Sequence, residues 1–283
     1  MNSKTILITG ISSGLGLALA EVALASGHRV VGTVRNEEAR NRFDNQIPGQ
    51  SFARILDVTD DAKVPAVVTE IENNIGAIDV LVNNDGYGLE SPIDEAPLEE
   101  IRRQFAVNVF GAIAMVQAVL PFMRKRRQGH IINITSMGGL VTFPGVGIYN
   151  GSKFALEGVS EALGKELKQL GIAVTAVEPG MFRTDWAGRS MTRVPRRISD
   201  YDEIFDPIRA ARAARSGNQP GDPIKAAHAI LRLIAAPNPP AHLLLGPDAL
   251  KFVTEKLREL DAEINEWKEV TLSTNFDETA LKS

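Results

Sequence analysis

The sequence predicts an α/β fold: a doubly wound parallel sheet in three layers, with strand order 3-2-1-4-5-6-7. Three observations carry that expectation. A short β-rich run, Lys4 to Thr9, leads through Gly10-Ile11-Ser12-Ser13-Gly14-Leu15-Gly16 into the apolar helical stretch Leu17 to Leu24. Strand-like and helix-like stretches then alternate as far as residue 185. The 283 residues, 44% of them hydrophobic, suffice for one large core, near the upper size at which single cores stop growing. One domain over residues 1–283 is therefore expected.

Strand, glycine turn, helix is the order a dinucleotide requires. Gly10 permits the tight turn, Gly14 lets the backbone approach a pyrophosphate, and Gly16 allows close helix packing, with phosphate charge at the helix N-terminus. The second strand, Arg29 to Arg35, carries no Asp or Glu at its end, where NAD-preferring folds bond the ribose 2′-hydroxyl. Val34 stands there. Arg35 follows with a guanidinium suited to a 2′-phosphate, and Ser13 adds a hydroxyl. Charge-assisted bonds of this kind contribute roughly 1.5–3 kcal/mol, so NADP(H) is the expected cofactor.

The third strand is Ser51 to Leu56, ending at Asp57, and a helix follows over Ala62 to Ile75 with Val64, Val67, Val68 and Ile71 as its apolar positions. Asp79 to Val82 is the fourth strand. Leu98 to Arg127 reads as a long helix with an acidic first turn at Glu99-Glu100, a polar break near Asn108 and a basic last turn at Arg124-Lys125-Arg126-Arg127, which complements the macrodipole before Gly129 ends it. The apolar run His130 to Ile134 is a buried fifth strand, the helix containing Tyr149 runs to about Leu170, and Ala173 to Val177 is the sixth strand. Between Asp185 and Asp222 the alternation fails. That segment is Arg-rich and punctuated by Pro195, Pro207, Gly217 and Pro220, which predicts an irregular lid or substrate-binding insertion. Pro223 to Ala236 is a helix, His242 to Leu245 the seventh strand, and Ala249 to Trp267 a helix with charged faces, followed by a tail after Glu269 expected to be loosely held.

The chemistry concentrates at Ser136, Tyr149 and Lys153. Tyr149 and Lys153 stand four apart, on one helical face a turn from each other, and Ser136 lies just beyond the fifth strand. A strand end and a helix start thus deliver three polar groups to one point. A free tyrosine with a pKa near ~10 is a poor acid or base at neutral pH. An ammonium about 4 Å away favours the phenolate by roughly 4 kcal/mol at an effective dielectric of about 20, on the order of three pKa units. Tyr149 is expected to approach working pH, with the Ser136 hydroxyl bonding the same substrate oxygen. An isolated Tyr-x-x-x-Lys is more often an ordinary half-buried helix pair; the glycine turn upstream gives this one its weight.

Thr9-Gly10-x3-Gly14-x-Gly16, Asp57-Val58, Asn83-Asn84-Asp85-Gly86, Asn108, Ser136, Tyr149-x3-Lys153 and Pro179-Gly180 occur in an order that resembles the short-chain dehydrogenase/reductase family over roughly the first 185 residues. The resemblance implies an oxidoreductase that interconverts a ketone or aldehyde and an alcohol by hydride transfer with NADP(H). It implies Tyr149 as general acid/base, Ser136 as the group that orients and polarises the substrate oxygen, Lys153 as holder of the nicotinamide ribose, and Asn108 as anchor of a proton-relaying water. Ser12, Ser13, Leu15, Asn84, Gly86, Tyr149 and Lys153 join the glycines and Arg35 around the cofactor. Asp57 and Val58 contact the adenine, Pro179-Gly180 shapes the bend beneath the nicotinamide, and Thr184 bonds its amide or a phosphate. Homodimers or homotetramers are implied as well.

One departure stands out: Asp85 replaces the family's alanine. A carboxylate turned toward the cofactor would repel phosphate or demand a partner. The expectation is a harmless Asp85, facing solvent or a neighbouring Arg, so that Asp85→Ala leaves cofactor affinity unchanged. Two other readings stay open, a same-fold epimerase or dehydratase and a non-catalytic dinucleotide sensor, the latter encouraged by Asp85 alone.

The net charge of −4 and pI near 5.7 give no electrostatic basis for nucleic-acid binding. No segment reaches about eighteen continuous apolar residues, so neither a membrane span nor any location but the cytoplasm is expected. With zero cysteines, and with His28, His130, His228 and His242 lacking ligand spacing, no metal site is expected. Trp186 and Met191, with Met181, Phe182, Val141, Phe143 and Val146, are expected to wall a pocket for a bulky, largely apolar small-molecule carbonyl or alcohol.

Overall fold

The computed structural model describes residues 3–276. Among the described residues nine strands form, β1 (Thr5–Ile8), β2 (Arg29–Val34), β3 (Ser51–Ile55), β4 (Val80–Asn83), β5 (Gly88–Glu90), β6 (Gly129–Ile134), β7 (Ile172–Pro179), β8 (Met191–Arg193) and β9 (His242–Leu245). Seven make one parallel sheet in the order β3-β2-β1-β4-β6-β7-β9. Counted along that sheet, this is the expected 3-2-1-4-5-6-7. Its register pairs Ile6 with Val30 on one side and Val80 on the other, His130 with Val80 and Ala173, and Ala176 with His242.

The central strands are continuous apolar runs because both of their faces are covered. Along β1, Ile6 and Ile8 join the layer built with α1 (Gly14–Ala25) and α8 (Pro223–Ala235), while Leu7 joins the opposite layer, built with α3 (Lys63–Asn74) and α5 (Ala112–Arg126). The period of two along a strand thus splits one apolar run between two cores.

The expected long helix is α4 (Leu98–Phe105) and α5 joined by a π-helical turn, Ala106–Gly111, which holds Asn108. By length and composition alone, Leu98–Arg126 would suffice to cross a membrane. Met115, Val119 and Met123 are fully buried against the sheet. The basic last turn ends at Arg127, whose left-handed backbone caps α5, and Arg126 pairs with Glu72 at 2.6 Å.

The segment 185–222 is not irregular, contrary to the sequence expectation. It contains β8, which pairs in parallel with β5, and the helix α7 (Asp202–Arg215). The sign of a helix was hidden because α7 has no buried face: charge, not an apolar stripe, anchors it. Glu90, on β5, receives Arg193 at 2.9 Å, Arg209 at 3.4 Å and Arg212. Glu95 receives Arg196 at 2.9 Å and the backbone N–H groups of Arg197 and Ile198, both at 2.6 Å. The remaining helices are α2 (Glu37–Asp44), α6 (Gly147–Leu167), α9 (Pro247–Glu266) and α10 (Lys268–Leu272); the tail beyond residue 276 lies outside the described residues.

Candidate active site

A crevice of about 670 Å³ opens over the C-terminal ends of β1, β4, β6 and β7. Gly10, Ser12, Ser13, Gly14 and Leu15 line one end, with Arg35 beside them. Gly10 (φ +70°) and Gly14 (φ +61°) hold left-handed conformations, and a Cβ on Gly16 would run into the Asn84 amide and the Gly10 carbonyl. The Asn84 side chain ties the turn to β4 by donating to the carbonyls of Thr9 (2.9 Å) and Gly10 (3.1 Å). Ser13 caps α1 without a side-chain bond, and no acid stands in the first turn, so the helix N-terminus meets the crevice with its dipole unopposed.

Ser136, Tyr149 and Lys153 line the crevice together, as expected. Ser136 follows β6, and its Oγ accepts from the Gly138 N–H at 3.0 Å. Its hydroxyl stands near that of Tyr149. Lys153 Nζ lies 5.9 Å from the Tyr149 ring centroid and donates to the Ile134 carbonyl at 2.8 Å. Asn108 does not reach the crevice wall. Its Oδ1 accepts from Tyr87 N at 3.1 Å and its Nδ2 donates to Tyr87 O at 3.1 Å and Ser152 Oγ at 3.0 Å. A Cβ at Gly86 would sit 3.3 Å from Asn108 Oδ1 and 3.4 Å from Lys153 Nζ, so the two groups converge behind that glycine.

The Tyr149 acidity differs from the expectation. Burial pushes the phenol up to about 12, with the nearby Ser136 hydroxyl working the other way. Burial likewise pulls Lys153 down to about 8, and nearby Glu157 opposes that shift. The ammonium is spent on the Ile134 carbonyl, and desolvation of the phenolate outweighs its field. Tyr149 is therefore held as the neutral phenol.

Asp85 also departs from its expectation in part. Its carboxylate turns into the crevice against Gly10, not out to solvent. Burial raises its pKa to about 6; the Arg35 charge and the Thr33 hydroxyl oppose that shift, and Asp57 adds to it. A neighbouring Arg is thus present, as anticipated, yet it is the same Arg assigned to the cofactor.

Other residues divide. Pro179, Gly180 and Thr184 line the crevice, and Thr184 Cβ would be 3.5 Å from a Cβ on Gly14. Asp57 and Val58 stand just past Leu56 and are not among the lining residues: the exposed Asp57 accepts from the Thr59 hydroxyl at 2.7 Å, and Val58 is buried in the core against Gly111. On the apolar side, Phe143, Val146, Met181, Phe182 and Trp186 line the wall, whereas Val141 packs with Met137, Ala249 and Val253, and Met191 packs under Gly88. The Trp186 and Tyr149 rings lie 5.0 Å apart, tilted by 55°.

The sequence reading missed Ile208, Ala211 and Arg212, brought to the wall by α7, and Phe252 of α9. It also missed Asp248, whose Oδ2 accepts from the Met181 N–H at 2.7 Å and fixes the loop after Pro179. The only signal for Asp248 was its place in the first turn of a helix opening with Gly246-Pro247.

Residues 4–194 match the family model for short chain dehydrogenase. The 3-ketodihydrosphingosine reductase of Bacteroides thetaiotaomicron is 37% identical over 249 residues, which are 87% of this chain and 89% of that protein. A short-chain dehydrogenase from Streptomyces avermitilis, a solved structure, superposes with a TM-score of 0.90 at 38% identity and covers 97% of this chain and 99% of its own. ElxO, solved with NADP bound, gives a TM-score of 0.71 at 26% identity over 86% of this chain and 96% of that one. The chain belongs to the short-chain dehydrogenase family and is an oxidoreductase.

Proposed function

We propose that the protein is an NADP(H)-dependent reductase of bulky, largely apolar ketones, with Tyr149 as proton donor. The observation that carries this reading is the convergence of Ser136, Tyr149 and Lys153 in a crevice whose other end is the glycine turn. The residues present fit a dinucleotide phosphate. Gly10, Gly14 and the α1 N-terminus suit the pyrophosphate, Arg35 and Ser13 suit the 2′-phosphate, and Lys153 and Thr184 suit the nicotinamide end. ElxO, a relative in fold and sequence, has NADP bound. NADP(H), when bound, supplies the hydride and leaves the protein to supply placement and protons.

The chain's own part is the proton. Reduction of a carbonyl adds one proton to oxygen, and the neutral phenol of Tyr149 holds it where the Ser136 hydroxyl bonds the same oxygen. Lys153 and Asn108, converging behind Gly86, form the refill route toward Tyr149. A phenol raised to about 12 favours reduction near neutral pH, and alcohol oxidation gains as pH rises.

The wall of Phe143, Val146, Met181, Phe182, Trp186 and Ile208 supports an apolar substrate, and the 3-ketodihydrosphingosine reductase relative has a lipid ketone in its name. Residues 185–222 act as the lid. Exposed Phe110 and Phe154, on the helices flanking the sheet centre, support a homodimer or homotetramer.

The test is NADPH consumption with a substrate panel. Aryl, alicyclic and long-chain ketones are expected to turn over, with NADPH preferred to NADH. Better turnover of small hydrophilic sugars would overturn the substrate class. Binding of NADPH without consumption across the panel would favour a sensor.

A further inference from the structure

One turn beyond Lys153 on α6 stands Glu157; Glu178 is the residue before Pro179 on β7; His242 opens the edge strand β9. Though these residues are scattered in sequence, ligating atoms from all three lie within 4.8 Å of one another. His242 Nδ1 is 2.8 Å from Glu178 Oε1 and 3.6 Å from Glu157 Oε2. Bonds of about 2.0–2.2 Å to one ion place neighbouring ligand atoms at about these separations.

The two glutamates are hard to explain as structural groups. Glu178 is 0% exposed and Glu157 is 3% exposed. Both oxygens of Glu157 and Oε2 of Glu178 lack a hydrogen-bond partner, and the nearby Thr135 hydroxyl is donated instead to the Val177 carbonyl at 2.9 Å. Buried carboxyl oxygens without donors are costly, and His242, at 2.8 Å from one oxygen of Glu178, leaves the other three carboxyl oxygens unbonded, which favours a cation among them.

On the outer side, His242 Nε2 lies 3.6 Å from Glu161 Oε1. A carboxylate at ion-pair distance behind an imidazole favours turning the other nitrogen toward a metal, as the hydrogen-bonded carboxylates behind metal-ligating histidines do more strongly. His242 and Glu161 are partly exposed, so the cluster has access from solvent.

We propose that Glu157, Glu178 and His242 form a binding site for a divalent transition-metal ion of the zinc class, oriented by Glu161. One imidazole nitrogen with two carboxylates suits Zn²⁺ or Co²⁺ better than Ca²⁺ or Mg²⁺, which take oxygen ligands almost exclusively. None of the three residues lines the crevice, so the ion has a structural part. It pins the helix carrying Tyr149 and Lys153 to the strand that leads into Pro179-Gly180 and to the sheet edge. This inference does not rest on the reductase reading.

The experiment uses the full chain, stripped with a chelator and then titrated with Co²⁺, with Zn²⁺ as competitor. One equivalent per chain is expected, with visible Co²⁺ absorption that Zn²⁺ abolishes and a Tm raised by about 5 °C at saturation. Glu178→Gln and His242→Ala should each weaken binding about 100-fold or more, and the exposed Glu161→Gln about 10-fold with an unchanged fold. Substoichiometric metal would overturn the proposal. So would stoichiometric metal that Glu161→Gln and His242→Ala leave equally tight. If His242→Ala fails to fold, Glu161→Gln alone decides between these outcomes.

Discussion

The sheet body and the segment 185–222 are held by different physics. In the body, Ile6, Leu7, Ile8, Leu81 and Val82 are all fully buried, and cohesion comes from many apolar contacts, none of them decisive. In the segment, α7 buries no residue, and the hold comes from two glutamates, Glu90 and Glu95, each gathering several arginine or backbone N–H groups. Arg196 extends the second cluster to Asp202 at 2.9 Å and Asp206 at 2.7 Å. The body is therefore tolerant of any one conservative change. The segment depends on a few directional pairs, and removing one partner leaves buried charge uncompensated. Ser136, Tyr149 and Lys153, the groups proposed for proton transfer, stand on the body, and much of the apolar crevice wall stands on or beside the segment.

Substitutions can break this comparison at either side. After the proton donor itself, the largest expected effect is also on the body: Ser136→Ala, removing the proposed donor to the substrate oxygen, should lower kcat by about 10²–10³-fold with every substrate, leaving KM nearly unchanged. A loss confined to bulky substrates would mean that the chemistry is not on the body alone. Next is Arg35→Asp, expected to weaken NADPH about 10–150-fold and to spare NADH, measured as dissociation constants by fluorescence. Unchanged NADPH preference would remove the 2′-phosphate assignment.

On the segment, Glu90→Gln should free Arg209 and Arg212 and open α7 locally. The expected result is KM about tenfold higher for bulky ketones, unchanged kcat for small ones, and faster amide exchange over residues 202–215. A global fall in Tm with no local change would show that the segment is part of the main cooperative unit.

The smallest effect concerns Asp85. Its carboxyl, with a pKa raised to about 6, gains charge as pH rises through that value and then competes with a 2′-phosphate for Arg35. NADPH affinity of the native chain relative to Asp85→Asn should therefore fall a few-fold between about pH 5 and 7. A ratio that stays constant with pH would show that Asp85 is inert toward the cofactor.

The same division decides what was legible in the sequence. Parallel strands buried on both faces are unbroken apolar runs, so the seven main strands and their order followed from pattern and glycine placement. Gly10, Gly14, Ser136, Tyr149 and Lys153 were legible because strand ends and helix starts must lie at one edge of such a sheet. Helix α7 was not legible, because its periodicity is in arginines, Arg209 and Arg212, that find Glu90 far away in the chain, 122 residues from Arg212. The direction of the Tyr149 shift was not legible either, since spacing supplies the Lys153 charge but not the burial that outweighs it. The Glu157, Glu178 and His242 cluster escaped for a related reason: its ligands come from one helix and two strands, with no local spacing to announce them. Asp57 and Val58 illustrate the reverse case, a motif placed correctly along the chain whose side chains lie off the crevice wall.

The central claim is that a neutral Tyr149 phenol on the body supplies the proton for carbonyl reduction. Its most direct measurement is single-turnover NADPH oxidation with a bulky ketone by the native chain and by Tyr149→Phe, with NADPH binding measured on both. The account expects NADPH affinity within about twofold and oxidation slowed by about 10²–10⁴-fold. Equal oxidation rates in the two proteins would contradict it.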